Sequence, residues 1–226
     1  MQLRHDLSQR VVVRPGDEAF VPSPQAGVVR LMLDRDGDGD GDGDGDGDVV
    51  ARATSLVRYE PKSTFPEHIH GGGEEIFVVE GTFEDDHGAY PAGTYLRNAR
   101  GSRHAPRSAT GCLLFVKLHQ FQSDDDSQLR ITTTETPWRQ GIVPGLRVMP
   151  LHEHRGEHVA LVRWAPGTVF QRHSHMGGEE ILVLEGTFQD EHGDYPRGTW
   201  MRSPHWSTHA PFSQGGCTIL VKVGHL

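Results

Sequence analysis

Apolar positions along this chain fall in short runs separated at close intervals by Gly, Pro, Asn and Asp, and no stretch repeats them at helical spacing. Ile76-Phe77-Val78-Val79 is apolar and partly β-branched, so it reads as a buried strand, and Gly81 starts the turn after it. Gly27 to Leu33 alternates weakly and predicts the first clear strand. Val11-Val12-Val13, within a polar, Pro-containing stretch, predicts an arm or an edge strand. Asp85-Asp86-His87-Gly88 and Asp190-Glu191-His192-Gly193 carry the residues of hairpin turns. The pattern predicts an all-β chain.

The pattern also occurs twice. The stretch from His68 to Gly81 returns from His173 to Gly186, and the offset of 105 holds without a gap from Leu56/Leu161 to Lys117/Lys222. Such a register implies duplication of a whole domain. At 226 residues the chain has room for two small domains, expected at 1–118 and 137–226 with a linker over 119–136.

Within the repeat lies its chemistry. Histidines at i and i+2 face the same side of a strand, and the glycines that follow let a glutamate turn back to the same point. A third histidine follows that glutamate by 30 residues in both halves, each time in a His-Ala-Pro sequence. Three imidazoles and a carboxylate are the donor set of a divalent-metal site. The candidate ligands are His68, His70, Glu74 and His104 in one half, and His173, His175, Glu179 and His209 in the other. Two ions per chain are expected, zinc or iron, with manganese or nickel also compatible. A closed tetrahedral zinc shell would only brace the barrel, whereas an octahedral ion keeps positions open for O2 or a substrate. Glu75 and Glu180 alternate to the other face and are expected to make outer or surface contacts, or to replace the ligand if the turn is one residue longer. Arg58/Arg163, Arg97/Arg202 and Lys117/Lys222 recur as cations that either orient a carboxylate or form ion pairs. No general-base constellation independent of the metal stands out, so any chemistry would be the metal's.

Charge changes this picture little. The net charge of −9 is concentrated in residues 34–48, where eight Asp face one Arg in a nearly alternating Asp/Gly tract. That tract cannot bury apolar surface and predicts a solvated loop inserted between two strands. It lacks the terminal glutamate and flanking helices of a calcium loop. No basic patch points to nucleic acid or an anionic membrane, and no apolar run has the length of a signal peptide core or a membrane span. A cytoplasmic protein with a small-molecule ligand is the expectation, with homo-oligomer formation left open. Cys112 and Cys217 are repeat equivalents in apolar strands and are expected to be buried free thiols. His152, His154 and His158 lie in a short connection expected to be a solvated loop.

Two all-β domains, each with His-x-His-x3-Glu-x6-Gly and a later His, resemble a bicupin. Domain two matches the leading cupin pattern fully from Gly167 through Gly186, whereas domain one has Lys62 in place of the first Gly. The Gly-Gly-Glu-Glu-Ile, Glu-Gly-Thr-Phe, Tyr-Pro-x-Gly-Thr and Gly-Cys details are most similar to the cupin module of the ChrR-type anti-sigma factors. That resemblance implies two tandem jelly-roll-like barrels, each binding zinc through the three His and one Glu. The helical anti-sigma domain of that family carries His-x3-Cys-x2-Cys, which two isolated Cys cannot supply. The related diketone- and acetophenone-cleaving cupin dioxygenases use non-haem iron. The resemblance thus implies either sensing of a small ligand or oxidant at the metal, or a non-haem Fe(II) dioxygenase acting on a small oxygenated or dicarbonyl substrate. The halves differ at Gly101 and Trp206. Gly101 leaves room beside the fourth ligand, so the first site is expected to be the more open. Trp206 is expected to fold over the barrel mouth or to pack between barrels.

Overall fold

The computed structural model describes residues 2–37 and 52–226. Most of the Asp/Gly tract, from Asp38 onward, lies outside the described residues. Its start is not a loop: Asp34 ends up buried in the strand Val28–Asp36 and pairs with Arg52 at 3.0 Å.

Two compact all-β units are present, and among the described residues there is no helix. No helix is therefore long and apolar enough to cross a membrane. In the first unit the main sheet runs Leu129–Thr132, Thr94–Asn98, Glu74–Asp85, Cys112–Leu118, Arg52–Tyr59, Val28–Asp36 and Val21–Pro22, all antiparallel neighbours. The second unit repeats this order with Val11–Val13, Trp200–Ser203, Glu179–Asp190, Cys217–Val223, Glu157–Trp164, Leu146–His154 and Arg139–Gln140.

The long strand Glu74–Asp85 joins two sheets. Its first half pairs with Cys112–Leu118 and Thr94–Asn98, and its second half with Gly88–Pro91 and Arg107–Ser108. The corner is a register shift beside Gly81, whose φ is +73°. A Cβ there would stand 2.0 Å from the Gly111 carbonyl oxygen, and the equivalent Cβ at Gly186 would stand 2.1 Å from that of Gly216. Only glycine lets the strand bend this tightly. Alternating inward residues then fill each barrel: Ile76, Val78, Phe83, Leu96 and Leu114 in the first, and Ile181, Val183, Phe188, Met201 and Ile219 in the second. Cys112 and Cys217 are buried free thiols in these strands, pushed up to about 11 by burial.

The domain limits differ from those expected. Residues 6–18 fall in the second unit, and 19–135 lie with the first. The expected linker contains the edge strand Leu129–Thr132, which pairs with Thr94–Asn98, and Val11–Val13 occupies the same edge of the second unit. Each open sheet edge thereby gains a partner for its backbone groups.

Because Gly186 combines positive φ with a backbone clash, Gly186→Ala is expected to destabilise the chain by about 2–4 kcal/mol in urea unfolding. A loss below about 1 kcal/mol would show that the corner can relax.

Candidate metal centre

The first group is assembled by a short β-ladder. His68–Ile69 pairs with Arg103–His104, and His68 stands directly opposite His104. The His70 amide donates to the Ser102 carbonyl at 2.9 Å and the Gly101 amide donates back to the His70 carbonyl at 2.8 Å, which fixes the third imidazole beside the other two. Glu74 opens the strand Glu74–Asp85, with its Oε2 lying 3.2 Å from His70 Nε2 and 3.5 Å from His104 Nε2. One donor atom from each of the four residues lies within 4.8 Å of the others. In the second unit, His173 stands opposite His209, and His173, His175 and His209 form the corresponding cluster. Glu179 Oε2 lies 3.5 Å from His175 Nε2 and 3.6 Å from His209 Nε2. Seven of the eight expected residues fall in the two clusters, and Glu179 lies beside two histidines of the second.

The outer side of four of the rings is already committed. His68 Nδ1 faces the Pro66 carbonyl at 3.1 Å, and His173 Nδ1 faces that of Gln171 at 3.0 Å. His70 Nδ1 meets Ser102 Oγ at 2.9 Å, and His104 Nδ1 meets Asp85 at 3.2 Å. Donating from Nδ1 leaves the Nε2 lone pairs directed inward. Among the described residues, His104 Nε2 and Glu179 Oε2 are buried without a hydrogen-bond partner, and His175 Nε2 lies 3.0 Å from His209 Nε2. Bonds of about 2.0–2.1 Å to a shared ion would put adjacent donors about 3.0–3.4 Å apart. These residues fit a metal ion.

Asp85 and Asp190 were read only as turn formers, and they do more. Asp85 accepts hydrogen bonds from the His87 amide at 2.7 Å and the Tyr90 hydroxyl at 3.1 Å while facing His104. Asp190 accepts from the His192 amide at 2.8 Å, Tyr195 at 2.7 Å and Arg10 at 3.0 Å, and lies 3.6 Å from His209 Nδ1. The available signal was the recurrence of Asp and Tyr at the repeat offset. Arg10 left no such signal, because only the fold brings residues 6–18 to the second unit.

The two glutamates face opposite electrostatic surroundings. Burial opposes ionisation of Glu74, but His70, His104 and His68 outweigh it and hold its carboxyl well below the usual range. Asn98 also donates to Glu74 at 2.7 Å. The repeat position of Asn98 is Ser203, and burial there pushes Glu179 up to about 7. Burial likewise presses His175 down to about 3, which keeps that imidazole neutral.

Other expectations resolve differently. Glu75 and Glu180 are buried outside the clusters: Glu75 pairs with Arg97 at 3.2 Å, and Glu180 accepts from Trp200 at 2.7 Å. Arg97 also pairs with Asp125 at 2.5 Å, and Lys222 with Glu157 at 2.8 Å, so these cations brace the sheets. His87 is a turn residue, and His152, His154 and His158 sit on a β-hairpin that supplies no imidazole to either cluster. Trp206 neither closes the mouth nor packs away, because it is 59% exposed and holds φ at +61°.

Sequence comparison with known families decides the assignment. The family described as "ChrR Cupin-like domain" matches residues 8–122 and again 126–226. The chain belongs to this family. No curated protein matches it. Among solved structures, this cupin is similar to a putative dioxygenase from Nostoc punctiforme, at 15% identity over 96% of this chain and 82% of that one, with a TM-score of 0.76. It is also similar to a putative glyoxylate induced protein from Pseudomonas aeruginosa, at 15% identity over 98% and 90%, with a TM-score of 0.73. A Lactobacillus farciminis oxalate decarboxylase in a formate complex aligns at 11% identity over 95% and 86%, with a TM-score of 0.66. These identities speak to the fold.

The cavities of this bicupin reverse the expected openness. The first cluster borders a cavity of about 50 Å³ lined by His68, Glu74 and His104 together with the buried Arg30 and Arg35. The second borders one of about 450 Å³, walled by Val148, Trp164, Phe170, Phe188 and Ile219 and reaching His173, Glu179 and His209. Removing a side chain at the loop position of Gly101 therefore did not set the space inside; strand residues did.

In the metal-free cupin, folded Glu179 keeps its proton up to about pH 7, whereas the unfolded chain releases it near the ordinary value of 4.5. Between those values the folded state binds more protons, so this group's contribution to stability falls as pH rises. Glu179→Gln is expected to gain melting temperature over the parent progressively between about pH 5 and about pH 8. A difference independent of pH would contradict the assignment.

Proposed function

We propose that this cupin holds one divalent ion in each cluster and binds an oxygen-bearing small molecule against the second. His68, His70, Glu74 and His104 would hold one ion, and His173, His175, Glu179 and His209 the other. The observation that supports this reading most is the apolar cavity of about 450 Å³ that reaches His173, Glu179 and His209. A bound ion supplies a Lewis acid and, if it is iron, a redox centre. The chain contributes three neutral imidazoles and one carboxylate, a set that leaves a dication net positive and favours an anionic oxygen ligand. Asp85 and Asp190 hold the imidazoles of His104 and His209 in orientation, and the apolar wall keeps bulk water from the ligand.

Sensing of a small ligand or oxidant is the first reading of such a site. A second, a non-haem Fe(II) dioxygenase acting on a small oxygenated or dicarbonyl substrate, is favoured by the same water-excluding wall.

Anaerobic loading with Fe(II) should give about two equivalents by elemental analysis, and His104→Ala should lose one of them. Nitric oxide added to the His104→Ala protein should still give the paramagnetic resonance signal of an iron nitrosyl, which requires a free coordination position. Full loading without that signal would assign the second ion a bracing role. Arg10→Met should weaken metal binding in the second unit by about 10–100-fold and leave the first unchanged. Equal weakening at both would show a general loss of structure instead.

A further inference from the structure

We infer that the two barrels admit different ligands, that the second takes a molecule with an uncharged, ring-bearing apolar body and its polar end at the imidazoles, and that the residue pair Arg30/Val148 sets the difference. This deepens the reading above, on which the metal-facing end of the ligand rests. Arg30 and Val148 are structural equivalents. Arg30 pairs with Val57 and Val148 pairs with Val162, two residues that are themselves repeat equivalents. Both point into the barrel, since each lines the cavity of its own unit.

The consequence of that difference is large, and Arg35 adds a second buried cation to the narrow cavity. An arginine reaches several ångströms further than a valine and carries a charge. In the first unit it lies 8% exposed among Ser55, Val57, Leu114 and Val116, and the remaining space of about 50 Å³ holds a few water-sized groups. With valine in its place, the second unit keeps about 450 Å³, within the range typical of small-molecule pockets.

The wall of the second cavity defines the chemistry of its occupant. Trp164 meets Phe188 edge-on at 5.6 Å between ring centroids and Phe170 at 6.4 Å, which offers aromatic faces and edges to a flat apolar body. Among the described residues, apart from His173, Glu179 and His209, the single ionisable residue lining this cavity is Arg139, in the exposed strand Arg139–Gln140. A charge in the middle of the ligand would be buried without a counterion, having lost its hydration. The body must be uncharged, and its polar atoms must sit at the imidazole end or at the Arg139 rim.

The probe for a test is 1-aminoanthracene, a neutral aromatic fluorophore, titrated into the full chain with and without metal. Elemental analysis on the same samples keeps the two readings apart. Failure of metal loading would overturn the proposed function, and absence of probe binding to loaded protein would overturn this inference alone. The parent should bind one equivalent with enhanced emission. Val148→Arg should weaken binding at least tenfold with metal content unchanged. Val148→Phe, which adds bulk without charge, covers the case in which arginine prevents folding and should weaken binding in the same direction. Arg30→Val should enlarge the first cavity and add probe capacity. Trp206→Ser removes an exposed apolar ring and should change nothing. Probe binding that survives both Val148 variants, or that is lost with Trp206→Ser, would place the probe on the surface and overturn the inference.

Discussion

Imidazole faces imidazole across a short antiparallel ladder in each barrel, two residue pairs long in the first and three in the second, and both candidate centres hang on that pairing. With His68 opposite His104 and His173 opposite His209, a slip of one residue would turn one ring of each pair to the other face. The register is held from outside the cluster. Asp85 and Asp190 end the long strands and grip His104 and His209 from behind, while Tyr90 and Tyr195 fix those aspartates. The glycine corners at Gly81 and Gly186 then allow a single strand to carry the glutamate at one end and the gripping aspartate at the other. Backbone freedom at one residue thus serves the electrostatics of the whole cluster.

Duplication supplied two copies of this device, and the copies have diverged around unchanged donors. Glu74 is stabilised as a carboxylate by its imidazoles and Asn98, whereas Glu179 at the equivalent position lacks the amide and is driven toward its neutral form by burial. The barrels differ in the same sense. One is narrow and lined by buried arginines, and the other is wide and apolar. Each metal-free cluster keeps a buried atom lacking a hydrogen bond among the described residues, His104 Nε2 in the first and Glu179 Oε2 in the second. Strain of this kind is relieved when a cation arrives.

The sheet edges bind the N-terminal segment into the chemistry. Arg10 comes from a stretch that precedes the first barrel in sequence, and it donates to both Asp190 and Tyr195 of the second unit. In the first unit the edge strand Leu129–Thr132 carries Arg130, which donates to Tyr90 and Asn98. Equivalent edges thus bring an arginine to equivalent tyrosines, although the two arginines are not aligned by the repeat offset.

By itself the sequence determined the all-β class, the duplication and the residues from which the two clusters are drawn. Local rules carry those features: strand alternation puts i and i+2 on one face, glycines permit the turn, and two copies in one register mark what belongs together. Asp85 and Asp190 were visible but misjudged, because a turn aspartate and a histidine-gripping aspartate look identical until the turn is placed behind a ring. Arg10, the 6–18 exchange and the strand hidden in 119–136 were decided by tertiary structure, since edge pairing is made between segments with no sequence relation. Cavity size was decided there too. Gly101 and Trp206 caught the eye as the difference between halves, but they lie on a loop where the tryptophan is largely solvent-exposed. The volume depends on which side chain a distant strand sends into the lumen, and only the register of Val28–Asp36 and Leu146–His154 revealed that Arg30 and Val148 share that place.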